Sequence, residues 1–133
     1  EIAKAKATVT ANSLNTVYNG KDQTVTGFTA SGLVNGETEA VLSGVTATVT
    51  GKNAGSYINT ATGIDGNYDI TFVDGALDIA KAKATITANS LNTVYNGQNQ
   101  TASGFSATGL VNGEDSSVLT GVTASVTAKD AGS

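Results

Sequence analysis

Apolar and polar residues alternate from the first positions of the chain. Ala3, Ala5, Ala7, Val9 and Ala11 interleave with Lys4, Lys6, Thr8 and Thr10, a period of two that turns one face of a strand inward. The small side chains on that face predict close approach of a neighbour. The alternation returns over 24–30 through Phe28, over 45–50 where Val45, Ala47 and Val49 separate threonines, and over 57–61, 67–73 and 76–80. A short strand is predicted at 16–18 after a turn at 13–15, and Asn19-Gly20 reads as a tight turn because both residues accept positive φ. Asp74-Gly75 reads as a two-residue hairpin turn. Only 37–43, acidic at its start and followed by Gly44, has a helical look, which predicts one or two turns. A single core is expected around Val9, Phe28, Leu33, Val49, Tyr68, Ile70 and Phe72.

The pattern repeats. Residues 2–56 align without a gap to 79–133 at an offset of 77, with 41 of 55 positions identical. The blocks 2–20 and 79–97 differ only at Val9 against Ile86. The 133 residues hold about 1.7 periods, so one copy is partial. A unit starting at Tyr57 is the alternative phase. Tyr68, Ile70, Phe72 and Leu77 look like closing strands of a core opened by Val9, which favours a complete repeat at 1–78 and a truncated one at 79–133. No Gly or Pro separates Leu77 from Ile86, so one nearly continuous strand over 76–88 is expected to join the copies into a stiff rod. The fold class is mainly β, as tandem small modules.

Composition narrows the chemistry. The chain has no Cys or His, and all seven of its basic residues are lysines. Imidazole and thiolate catalysis, disulfides and the usual zinc, haem or iron–sulfur ligation are excluded. A net charge of -4 without Arg argues against nucleic acid. No apolar run long enough to cross a membrane and no signal-peptide pattern occurs, so a soluble piece of a larger protein is expected, with no membrane insertion. Ala supplies 19 residues and Thr 21, which suits thin β modules and not a large core with a deep cleft.

Few side chains invite a functional reading. Asp65, Asp69, Asp74 and Asp78 suggest oxygen ligation of Ca²⁺, but turn formation and an outward strand face account for them, and the spacing is not that of an EF-hand loop. Glu37 and Glu39 do not make a duplicated acid–base pair, since Ser116 replaces Glu39 in the second copy. Tyr18 and Tyr95, each before an Asn-Gly turn, offer apolar faces with polar tips for ligand contact, against the alternative of half-buried core residues. Asn99-Gln100-Thr101 is an N-x-T sequon without counterpart in the first copy. Lys6 and Lys52 are the lysines weighed for an isopeptide bond. No catalytic, metal or cofactor site is expected.

The ordered set TVTANSLNTVYNG, SGLVNGE, AGSY and GNYDITFVDGALDI resembles the YDG or MBG-type repeats of large exported bacterial adhesins, the filamentous-haemagglutinin-like surface proteins. The motifs fall on Tyr18-Asn19-Gly20, 32–36, 54–57 and 67–79, and recur from Tyr95 and Gly109. The central Asn19 departs from the family's Asp. The resemblance implies a small β-grasp-like or β-sandwich-like module, arrayed in the stalk of an extracellular protein at the bacterial cell surface. Neighbouring repeats of the same protein are then the expected partners, and a spacer that projects a distal binding region is the leading function. The alternative is a binding module that contacts host glycan, mucin or matrix protein itself.

Overall fold

The computed structural model describes residues 1–132. The chain is mainly β, with 47 % of its residues in strands and 5 % in short 3-10 turns. It divides into two compact units, Glu1–Lys81 and Ala82–Ser133.

In the first unit nine strands form three sheets. β1 (Ala5–Ala11) lies between antiparallel β4 (Phe28–Ser31) and parallel β8 (Tyr68–Val73). β9 (Gly75–Ala80) lies between parallel β2 (Leu14–Val17) and antiparallel β6 (Gly55–Asn59). β5 (Val45–Gly51) lies between β3 (Gln23–Thr26) and β7 (Ala61–Gly63), both antiparallel. The parallel pairings share one register. Ala5 faces Tyr68 and Val17 faces Ala80, each 63 positions apart, so 5–17 and 68–80 run side by side across the break between their strands.

Two hydrophobic clusters replace the single expected core. Ala7, Val9 and Ala11 of β1 and Tyr68 of β8 meet Val45 and Ala47 of β5, Ala61 of β7 and Leu42, with Phe28, Leu33, Ile70 and Phe72 packed at the margin. Leu77 and Ile79 of β9 meet Val25 of β3, flanked by Tyr18, Val49 and Tyr57. β5 therefore serves both clusters from one face, Val45 and Ala47 toward the first and Val49 toward the second, while its threonines point outward. This is a two-layer β-sandwich. The sheet around β5 is one layer, and the sheets around β1 and β9 form the other.

Glycine and asparagine place the joints. The expected strand over 24–30 is split at Gly27, whose φ is 93°. Its N–H donates to Ala47 O at 2.9 Å in one layer, and its carbonyl accepts from Asn12 N at 3.0 Å in the other. One residue with positive φ thus carries the chain between layers. Asp74-Gly75 is not a hairpin turn, because β8 and β9 pair with different partners and not with each other. Gly75 fits there because a Cβ would stand 2.3 Å from Asn12 O and 2.5 Å from Ala11 O. The fully buried Asn59 donates from Nδ2 to that same Asn12 O at 2.9 Å. The expected helix over 37–43 reduces to one 3-10 turn, Glu39–Val41, capped by Thr38.

The second unit keeps the pairs that its residues can make. β10 (Thr85–Ala88) pairs with β12 (Phe105–Thr108), and β11 (Gln100–Ser103) with β13 (Ser125–Ala128), in registers that reproduce β1–β4 and β3–β5 at an offset of 77. Ser116–Val118 repeats the 3-10 turn under an Asp115 cap. The expected uninterrupted strand over 76–88 is broken, since residues 81–84 form no ladder between β9 and β10. In the first unit the corresponding Ala5, Lys6 and Ala7 pair with β8 and not with β4. β8, which pairs with 5–7, has no counterpart among residues 79–133.

Gly75→Ala is expected to cost about 3 kcal/mol in urea unfolding because its Cβ meets backbone. Gly66→Ala, whose Cβ meets nothing within 4 Å, should stay within about 1 kcal/mol. Leu42→Ala and Leu77→Ala should each cost about 2–5 kcal/mol, and Leu119→Ala, half-buried in the second unit, clearly less.

Candidate functional site

The two tyrosines singled out by sequence occupy different surroundings. Tyr18 follows β2, and its N–H donates to Ala80 O at 2.8 Å. Its half-buried ring packs on the Val25, Leu77 and Ile79 cluster. Beside it, the Tyr57 hydroxyl donates to Asn53 O at 2.8 Å and its ring lies against Gly51. Tyr95 has the same local sequence but is 57 % exposed. It lines an open groove of about 440 Å³ with Leu91, Val94, Ala102 and Val126, all within the second unit. In the first unit the equivalent space is filled by β9 and Tyr57. The groove was not foreseen from the sequence.

Tyr68 forms a latch that the sequence reading placed only in the core. Val34 to Glu37 make a tight turn closed by Glu37 N–H to Val34 O at 3.0 Å, with φ of 55° at Asn35 and 70° at Gly36, the left-handed pair of a type I′ turn. The Val34 N–H donates to the Tyr68 hydroxyl at 3.1 Å, and that hydroxyl donates to a Glu37 carboxylate oxygen. The bond to Glu37 holds the phenol above its ordinary pKa. The Val34 N–H opposes it, and burial and the charges of Glu37 and Asp65 reinforce it.

The acidic residues are held locally. Asp65 accepts from the N–H groups of Asn67 and Tyr68 at 2.8 and 3.2 Å. Asp78 accepts from Ser56 Oγ at 2.6 Å. Asp69 pairs with Lys6 at 2.9 Å, and that hydrogen bond holds its carboxyl below the usual range. Both partners are well exposed to solvent, so the pair adds little to stability. Glu39 begins the 3-10 turn, while Asn99 and Lys52 lie exposed next to strands. Among the described residues no three acidic groups converge as metal ligands.

The arrangement defines a β-sandwich repeat module whose polar side chains serve turns and latches. A family model for the MBG domain (YGX type) matches residues 7–78, more than half of the chain, and the chain belongs to that family. No curated protein and no solved structure matches it.

The latch gives a pH signature. Because the folded pKa of Tyr68 is raised, its contribution is present below about pH 10 and is lost as pH rises through the folded value. Tyr68→Phe should lower stability at neutral pH and remove that part of the alkaline decline. Chemical unfolding of both proteins between pH 7 and 11 checks this, and parallel curves would show that the hydroxyl has no such role.

Proposed function

We propose that the chain is a stalk segment of a bacterial surface adhesin, non-catalytic, whose repeats hold a distal binding region away from the cell. The observation that carries this reading is where the polypeptide enters and leaves the first unit. Ala5 lies beside Tyr68, and Ala80 lies beside Val17. The chain thus enters at one end of the parallel ribbon and leaves at the other, up to about 40 Å away at roughly 3.3 Å per residue. Each complete module adds its own length to an array instead of folding back. The interrupted strand at 81–84 removes the shared strand as a support, and the ribbon within the module takes its place.

Tension applied at those two points pulls 5–17 and 68–80 past each other along their length. The ladders are then loaded in shear, all together, as suits a part that bears load. Membership in the MBG family agrees with this role. Placement outside the cell and contact with neighbouring repeats belong to the same proposal. Direct binding of host glycan or protein through Tyr18 is less well supported, because the Tyr18 ring packs against β9.

The chain has no cysteine, so thiols introduced in pairs attach handles cleanly. Single-molecule pulling of Ala5→Cys with Ala80→Cys should give a higher unfolding force than Val17→Cys with Ala80→Cys, where the ladder opens bond by bond. Equal or reversed forces would remove the load-bearing role.

A further inference from the structure

β8 has an open edge inside the first unit. β1 pairs with one side of it, and among the described residues no strand pairs with the other. The Ala5 N–H donates to Asn67 O at 2.9 Å, which in a parallel ladder turns the amide groups of 67, 69, 71 and 73 toward β1 and those of Tyr68, Ile70 and Phe72 away from it. Asp65 holds the Tyr68 N–H at 3.2 Å. The residues that offer both an N–H and a carbonyl along the edge are therefore Ile70 and Phe72.

The side chains at this edge are apolar too. Ile64 is 85 % exposed and belongs to neither hydrophobic cluster, and with the half-buried Ile70 and Phe72 it lines an open cleft of about 170 Å³. The usual protections of an edge are missing. With six residues β8 is the longest strand of the first unit that has a single partner. It carries no Pro, Lys or bulge, and its one charge, Asp69, is neutralised by Lys6 at 2.9 Å.

We propose that this edge is a self-association site, at which two copies of the chain pair through β8, antiparallel about a two-fold axis at Thr71, into one continuous sheet. The inference does not rest on the stalk role. The register follows from what is already claimed. Centred on Thr71, Ile70 of each copy faces Phe72 of the other and exchanges both backbone hydrogen bonds with it, four in all. On the outer face Thr71 meets Thr71, a favourable cross-strand pair, and Asp69 meets Val73. An axis at Ile70 would need the Tyr68 N–H that Asp65 holds, and an axis at Phe72 would bring Asp69 of the second copy opposite Gly75, where β6 already pairs. A second copy is the occupant that fits these demands together. It brings the same two open residues at the same spacing, an apolar pair for the cleft side and an acid already neutralised. One pairing consumes both edges, so the assembly closes as a dimer. Five residues per copy bury less than a standard interface, and association is weak and concentration-dependent.

The chain has no cysteine, so single thiols in the 133-residue chain report the register in a glutathione buffer. Thr71→Cys should accumulate a disulfide-linked dimer, because facing Cα atoms about 4.5 Å apart suit the bond. Thr8→Cys is the control: Thr8 pairs with Thr71 from β1, stands roughly 14 Å from its mate across three strand spacings, and should stay a free thiol. Asp69→Cys mixed with Val73→Cys should give the mixed dimer in preference to either homodimer. In sedimentation equilibrium without thiols, Thr71→Lys should weaken the dimer about fivefold by placing like charges opposite each other. The thiol series keeps the test decisive if the lysine variant does not fold. Equal cross-linking at 71 and 8, a chain that stays monomeric at millimolar concentration, or a dimer indifferent to Thr71→Lys would overturn the proposal. So would capture of an unrelated extended peptide at Ile70 and Phe72 without self-pairing.

Discussion

The parallel pairing of residues 5–17 with 68–80 in one unbroken register is the constraint on which the first unit depends. Neither ribbon is apolar enough to stand alone. The inward residues of 5–17 are mostly small, those of 68–80 include Tyr68, Leu77 and Ile79, and the two sets are covered together over the β5 layer. The pairing also fixes both clusters at once, since Val9 and Tyr68 sit at one end of the ribbon and Leu77 and Ile79 at the other. A slip of one residue would turn both sets outward. Gly75 and Asn59 guard that register at the break between strands, one by tolerating close backbone and the other by bonding Asn12.

The second unit shows the same opening sequence without its partner ribbon. Val9 is fully buried, whereas its counterpart Ile86, although larger, is 38 % exposed. β1 retains four of its seven residues as β10, and β2 has no counterpart strand. What remains is local: antiparallel pairs, the Asn112-Gly113 turn and the Asp115 cap. The division between what is present and what is not follows which partners lie within 79–133: the pairs of the β1–β4 and β3–β5 type have both members there and form in the same registers.

The contrast between local pattern and long-range pairing in the first unit explains what could be read from the chain. Strands with strict alternation, such as β1 and β5, are visible in the pattern because their periodicity is local. The bend at Asn19-Gly20 is visible because its demands are local, although positive φ falls on Gly20 alone and the Lys21 N–H donates to the Asn19 side chain. Gly27 and Asp74-Gly75 are misread as strand interior and hairpin because a layer change and a parallel register are long-range facts, and the same dipeptide serves a turn or a crossing. The helical look of 37–43 rests on acidic residues at its start and on Gly44 after it, and the structure makes of it one 3-10 turn, Glu39–Val41, capped by Thr38. Tyr95 as an exposed residue and Tyr18 as a packed one share a local sequence, so no local pattern separates them. The partner ribbon does.

Native-state amide hydrogen exchange on the whole chain tests the dependence on that ribbon most directly. Residues 2–20 and 79–97 differ only at Val9 and Ile86, so intrinsic exchange rates cancel between the copies. The account predicts strong protection at 5–7 and 14–17, approaching global stability, and exchange close to the unstructured rate at 82–84 and 91–94. Equal protection in the two copies would contradict it, because the opening half would then hold its strands without the partner on which the fold is argued to depend.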